Sequence, residues 1–332
     1  MRGLLTAILA GTVSLTAAGQ NPASAKLSPG QANAALQAGE ADKALSILAS
    51  LNSPQAQMPD ARGRAQVHNL SCRVYLILER WDNASGECEQ AVRLDSGNGL
   101  YHMWYARALG ERASRASFLS AYSLSKKLRA EYEEAARLAP GDPEVLADLG
   151  EFYFEAPGVV GGGQDKAQHI ADQMESLDKQ RALELRAKIA DQHKDTETAE
   201  RLLHQAVSSS PHPAFQWLGL AAFYQRHQRW QEMESALNNS YQAVTRDRRQ
   251  STALFGAANM LIQTRRNPQL AARMLEEYLS GPVKTEEAPA FIAHLRLAKL
   301  KEQMGDATGG QQHRMIAHSL AHDYQLAEER RH

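Results

Sequence analysis

The sequence has almost no net charge, few aromatic residues and only two cysteines. It contains 37 Lys and Arg residues and 38 Asp and Glu residues, for a net charge of -1. A chain so balanced has no overall field that would draw it to nucleic acid or to anionic lipid. Aromatic residues make up 6% of the chain. Ala, Leu, Gln, Glu and Arg are abundant instead, and this mixture favours helices.

The N-terminus, MRGLLTAILAGTVSLTAAGQNPASAK, has the pattern of a secretory signal peptide. One Arg precedes an apolar stretch from Leu4 to about Ala18, and a small-x-small motif follows at 23–25. The stretch is shorter than the roughly 20 apolar residues of a good spanning helix, and no later segment is long and apolar enough to cross a bilayer. We therefore expect residues 1–25 to be a cleaved signal peptide and residues 26–332 to be exported by a bacterium, to the periplasm or outside. An uncleaved anchor is the alternative.

Small residues recur at fixed intervals along the chain. The segments LADLGEFY, WLGLAAFY and HMWYARAL share one frame, which is half of a W-x2-LG-x2-Y pattern. Intervals of twelve residues separate Cys72 from Ala84, Ala187 from Ala199 and Ala221 from Met233, and intervals of thirty-four separate Cys72 from Ala106 and Ala187 from Ala221. The chain therefore resembles the tetratricopeptide repeat family, whose period is about 34 residues.

The resemblance covers about residues 30 to 324 and implies an all-α fold. The expected architecture is a right-handed α-solenoid of about 7 to 8 stacked antiparallel helix pairs, because no single pair buries its apolar face alone. In this register, Cys72 lies at the small position of a first helix and Cys88 on the second helix that packs against it. An exported protein with one such pair is expected to form a disulfide. Two buried free thiols are the alternative.

Two consecutive repeats carry insertions near 110–127 and 155–165. Twenty-two residues separate Ala106 from Leu128, and seventeen separate Gly150 from Ala167, where twelve is usual. The second insertion is glycine-rich, but Lys166 is followed by Ala rather than by the Ser or Thr of a Walker loop. The run APGVVGGGQDKA is similar to that of exported bacterial tetratricopeptide proteins of unassigned function. More distantly, the chain is similar to the regulators of microtubule dynamics, a likeness that implies architecture rather than mechanism.

The first helices of such repeats line a concave groove. The side chains that we expect to face it mix charge with a few apolar groups: Asn69, Arg73, Met103, Arg107, Glu111, Glu151, Phe154, Phe215, Leu218 and Arg226. This mixture is typical of a surface that binds an extended peptide or a segment of another protein. The Lys and Asn set by which chaperone-binding relatives hold two carboxylates is not evident.

The favoured hypothesis is a non-enzymatic exported scaffold or adaptor that binds other proteins in its groove. An enzyme or small-molecule-binding protein is the alternative, with a site under the two insertions that would use Ser117, Ser120, Glu151, Glu155 and Lys166. A third reading is an envelope protein that acts only through its convex face. The sequence predicts no catalytic residues, no metal site, no cofactor and no nucleic-acid partner, and it leaves the oligomeric state open.

Overall fold

The computed structural model describes residues 27–53 and 60–326, so the predicted signal peptide lies outside the described residues. Within the described ranges, sixteen α-helices follow one another: α1 (Pro29–Gln37), α2 (Ala41–Leu51), α3 (Ala61–Ile77), α4 (Trp81–Leu94), α5 (Gly99–Ala113), α6 (Phe118–Leu138), α7 (Pro143–Glu155), α8 (Gln164–Met174), α9 (Lys179–Gln192), α10 (Thr196–Ser209), α11 (Ala214–Arg226), α12 (Trp230–Arg246), α13 (Ala253–Gln263), α14 (Pro268–Ser280), α15 (Ala290–Gln303) and α16 (Ala307–Leu320). None of these helices combines the length and the apolarity that crossing a membrane requires.

Consecutive helices pair into eight antiparallel hairpins, and neighbouring hairpins stack. Small residues lie where the helices approach: Ala84, Ala106 and Ala199 are fully buried. At Gly150 a side chain would not fit, because a Cβ atom there would lie 2.7 Å from Leu185 Cδ2. The predicted all-α solenoid of about 7 to 8 helix pairs is therefore confirmed.

Most of the hairpin turns share one backbone conformation. A residue in the left-handed region follows the first helix, with φ between 54° and 89°, at Gly39, Glu79, Lys194, Gln228, Arg265 and Gly305. This conformation closes a helix C-terminus because the amides that follow bond back to its last carbonyls; for example, Arg80 N donates to Tyr75 O. The α5–α6 and α7–α8 turns, which carry the insertions, are the two that depart from this geometry.

The two insertions take different forms. The first is mostly helical, because α6 begins at Phe118 and runs for 21 residues. Gly99 at the start of α5 packs on Ala135 near the end of α6, and Gly110 packs on Leu128. Since α5 runs only three residues beyond Gly110, to Ala113, the first turns of α6 project past its end. The second insertion is a compact turn over 156–163, with a 3-10 segment at Gly158–Val160.

A disulfide joins the two helices of the second hairpin. Cys72 on α3 and Cys88 on α4 have Cα atoms 5.2 Å apart and bonded sulfur atoms. Both residues are fully buried among the alanines of the repeat core. The bond therefore fastens α3 to α4 at a point where water has no access.

The first and last repeats pack against each other, so the solenoid closes on itself. One apolar cluster contains Leu36 and Leu48 of the first hairpin together with Phe291 and Leu295 of α15. Hydrogen bonds add to this contact, since Asp42 accepts from the backbone N of His322 at 2.8 Å. The repeat pattern alone does not predict this closure.

Candidate protein-binding groove

The groove begins at α3 and α5, where Arg73, Arg107 and Glu111 are partly exposed as predicted but two other predicted residues are buried. Asn69 and Met103 are 5% and 1% exposed, so their prediction as groove residues is wrong. Met103 instead packs in the core with the disulfide. The residue that α5 presents beside Arg107 is Trp104, one position further along the helix. Two guanidinium groups lie over its ring, that of Arg73 at 5.1 Å and that of Arg107 at 4.5 Å from the ring centroid.

Arg73 is already bound by the chain itself. Its Nε donates to Glu286 Oε1 at 3.1 Å and to Oε2 at 2.9 Å. Glu286 lies in the segment 281–289 between α14 and α15 and is 7% exposed. This segment therefore occupies the groove at α3.

Arg107 bridges α5 to α7. It donates to Asp148 Oδ2 at 2.6 Å and to Glu144 Oε1 at 2.8 Å. Burial alone would lower the pKa of Arg107, but the hydrogen bond and the charge of Asp148 outweigh it and hold the pKa above its usual range. Glu111, one turn further along α5, pairs with Arg115 at 2.7 Å.

The middle of the groove is a cavity of about 540 Å³ between α7, α9 and α11. The charged side chains that line it are Asp148, Glu151, Asp178, Arg181, Glu184 and Lys188. Lys188 Nζ donates to both carboxylate oxygens of Glu151 at 2.6 Å. Burial, and after it the charge of Glu151, raises the pKa of Glu155.

Glu184 differs from the other carboxylates of the cavity. Burial raises its pKa to about 7, against weaker opposing effects of Lys188 and Arg181. It forms no ion pair with any residue in the described ranges, whereas Asp148, Glu151 and Asp178 each have a cationic partner. Sequence reasoning missed Glu184, although it lies four residues before Lys188 and thus on the same helical face.

Apolar groups accompany these charges. Phe215 at the start of α11 lines the cavity and is 46% exposed. Phe154 and Leu218 are half-buried and pack against the repeat core. At the far end of α11, Arg226 is exposed and pairs with Asp191 at 3.0 Å. The predicted groove residues of α7 and α11 are thus exposed or half-buried, and none is in the core.

No family model matches the chain, and no curated protein matches it. Several solved structures are similar. A chain of the APC/C hetero-tetramer Cut9-Hcn1 has 17% identity and a TM-score of 0.46, over 84% of this chain and 50% of that chain, so this chain spans half its length. A tetratricopeptide repeat protein from Parabacteroides merdae has 14% identity and a TM-score of 0.45, over 82% and 96% of the two chains. The C-terminal part of a TPR repeat-containing protein from Cytophaga hutchinsonii has 11% identity and a TM-score of 0.42, over 76% and 95%.

The eight stacked hairpins, two of whose repeat intervals are thirty-four residues long, decide the fold. The chain has the tetratricopeptide-repeat fold. In this tetratricopeptide-repeat solenoid, the first helices α7, α9 and α11 supply most of the side chains that line the cavity.

The residues of the alternative, enzymatic site have separate partners. Ser117 Oγ bonds to Ser120 Oγ at 3.2 Å on α6. Lys166 Nζ donates to Gly161 O at 2.8 Å and lies over the Tyr153 ring. Glu151 instead pairs with Lys188 across the groove. These contacts assign Lys166 to the glycine-rich turn and Glu151, with Glu155 beside it, to the groove, so the five residues do not form one site.

Proposed function

We propose that this protein is a non-enzymatic, exported scaffold that binds an extended segment of another protein in its groove. The observation that carries the proposal is the cavity between α7, α9 and α11, which combines charged walls with the exposed ring of Phe215. A surface of this kind offers hydrogen bonds along a peptide and an aromatic anchor for one side chain. Export is supported by the signal-like N-terminus and by the paired cysteines.

The part of the groove that is free for a partner lies at α7 to α11. At α3 the chain's own Glu286 holds Arg73, whereas Phe215 and the cavity face outward. We therefore expect a partner segment to lie across α7, α9 and α11 and to end near Trp104.

The experiment is photo-crosslinking of a partner from bacterial envelope extract, with a photoreactive residue in place of Ala147, which also lines the cavity. Phe215→Ala should reduce the crosslinked product at least ten-fold, because a single aromatic anchor can supply a large share of the binding free energy. Leu177→Ala is the matched control, since Leu177 is 45% exposed and Phe215 is 46% exposed. A product that both variants leave unchanged would count against the groove.

A further inference from the structure

One carboxylate of the groove cavity forms no ion pair within the part of the chain that the structure describes. Asp148 pairs with Arg107 at 2.6 Å, Glu151 with Lys188 at 2.6 Å and Asp178 with Arg181 at 3.3 Å. Glu184, on α9 between these pairs, has no such partner among the described residues. A carboxylate that is shielded from water is stable as an anion only when a cation or several donors face it.

Gln216 lies on the same wall, and a hydrogen bond from its side chain to Glu184 partly opposes the rise in the pKa of that carboxyl. Gln216 Oε1 on α11 is inaccessible to solvent and accepts no hydrogen bond within the described part of the chain. Its residue and Glu184 both line the cavity of about 540 Å³. Buried acceptors normally have a donor, so this pair marks a position where a donor group from outside would be bound.

The backbone leaves room for that group. Gly219, one turn after Gln216 on α11, also lines the cavity. The Cβ position at Gly219 is 3.5 Å from Glu184 Oε1, so a larger side chain there would cover the carboxylate. Phe215, at the rim, offers an aromatic face to the aliphatic stem of a long side chain.

We propose that the partner segment inserts a lysine or arginine side chain into this cavity, where Glu184 accepts hydrogen bonds from its cationic group and the Gln216 side chain turns its Oε1 toward that group. Lys and Arg carry only donors on their charged ends, which matches two acceptors, one of them a carboxylate. The cation replaces the proton that a half-buried carboxyl without an ion-pair partner otherwise keeps. This inference rests on the proposed function and specifies the chemistry of its partner.

The test begins with peptides that are selected from a random display library on the wild-type chain. The strongest binder is synthesised with each Lys or Arg replaced in turn by norleucine, and its Kd is measured with the wild-type protein and with Glu184→Gln. For one of the norleucine peptides, the Kd with the wild-type protein should be about 30-fold weaker. Glu184→Gln should weaken binding of the original peptide by about the same factor. The norleucine peptide should bind Glu184→Gln little more weakly than it binds the wild type, because both changes remove the same interaction. Affinity of the wild type should rise from pH 6 to pH 8, and the Glu184→Gln variant should lose this dependence.

Two controls separate the outcomes. Glu197→Gln changes an exposed carboxylate of α10 and should leave the Kd unchanged. A free amine, such as propylamine, should compete only at far higher concentration than the peptide; equal potency would assign the site to small amines and overturn the peptide-borne cation.

Selected peptides that lack Lys and Arg, or that bind Glu184→Gln as tightly as wild type, would overturn the cation site while leaving the groove as the binding surface. Peptides that bind equally well after Phe215→Ala and do not compete for the groove would overturn the proposed function itself.

Discussion

Arg73 on α3 and Glu286 before α15 form a partly buried ion pair although 213 positions separate them in the chain. The side chains are 17% and 6% exposed. Gln37 of α1 also donates from its side-chain amide to Glu286 Oε1, at 3.3 Å. The pair therefore fastens the last repeat to the first ones and fills the groove at α3 with the chain's own carboxylate.

Removing that carboxylate should open the closed solenoid. Glu286→Ala leaves the Arg73 guanidinium buried without its counter-charge, and we expect the free energy of unfolding to fall by about 3 kcal/mol. Hydrogen exchange should increase in α1 to α3 and in α15 and α16 together, because both sides lose the same contact. Glu287→Ala is the control, since Glu287 is the exposed neighbour. Increased exchange at one end alone would contradict the closure.

The disulfide should be present in the exported protein and should stabilise it. Peptide mapping without reductant should recover the peptide of Cys72 joined to that of Cys88. Cys88→Ala should lower the free energy of unfolding by about 3 kcal/mol, since the bond closes a loop over a sequence separation of 16. Reduced wild type should unfold at nearly the same denaturant concentration as the variant. Two thiols that alkylate in the unfolded, unreduced protein would show that the bond does not form.

The repeat period predicts the hairpins because small residues are required wherever two helices approach, and the intervals between Cys72, Ala84 and Ala106 record that requirement directly. The groove is harder to predict. A shift of one residue on α5 exchanges Met103 for Trp104, and the repeat frame fixes the core face more sharply than the opposite face. Only the buried fraction of each side chain, as the structure gives it, shows that Met103 is in the core and Trp104 is in the groove.

The closure of the solenoid depends on contacts that a repeat pattern does not encode. Each repeat packs on its neighbours, so the pattern describes nearest-neighbour interfaces. Phe291 and Leu36 are fully buried, and such residues in terminal repeats signal that another surface covers them. The sequence does not say that this surface is the opposite end of the same chain.

Glu184 should lower stability above neutral pH. Its pKa in the folded chain, about 7, exceeds the usual value for an unfolded chain, about 4.3. Between these values the folded state holds a proton that the unfolded state has released, so stability falls as pH rises from about 4.5 to about 7. At pH 8, Glu184→Gln should therefore raise the free energy of unfolding by about 1–2 kcal/mol.

Denaturant titrations of the wild type and of Glu184→Gln at pH 5 and pH 8 measure this effect. The two proteins should differ at pH 8 and nearly coincide at pH 5. Glu197→Gln, on the exposed face of α10, should follow the wild type at both values. A loss of stability at pH 8 in Glu184→Gln would mean that an unseen partner already neutralises the carboxylate.

The last hairpin should weaken in acid because two histidines face each other within it. His294 Nδ1 on α15 lies 2.8 Å from His313 Nδ1 on α16. Burial, then the charges of His313 and Lys284, lowers the pKa of His294 to about 4, and burial also lowers the pKa of His313. In the unfolded chain these histidines bind protons near pH 6.5, whereas in the folded chain they stay neutral to lower pH. Stability therefore falls as pH decreases from about 6.5 to about 4.

His294→Leu removes the group whose protonation the fold opposes. Its unfolding free energy should change less between pH 6.5 and pH 4 than that of the wild type, by about 1–2 kcal/mol after allowance for partial exposure. The comparison of slopes cancels the carboxylates that titrate in both proteins. His193→Leu, at the exposed end of α9, should keep the wild-type slope. Equal slopes for all three proteins would contradict a neutral histidine pair.

The glycine-rich turn should tolerate a methyl group at one glycine and reject it at another. A Cβ atom at Gly162 would lie 1.8 Å from Ala156 O, whereas nothing lies within 4 Å of the Cβ position at Gly158. The turn holds Gly162 there because its amide donates to Pro157 O at 3.3 Å while Gly163 N donates to Tyr153 O at 2.8 Å. Gly162→Ala must therefore break the turn, at a loss of about 2–3 kcal/mol in unfolding free energy. Gly158→Ala, measured beside it by denaturant unfolding, should change stability by less than about 0.5 kcal/mol, and equal losses would mean that the turn is not the compact one described.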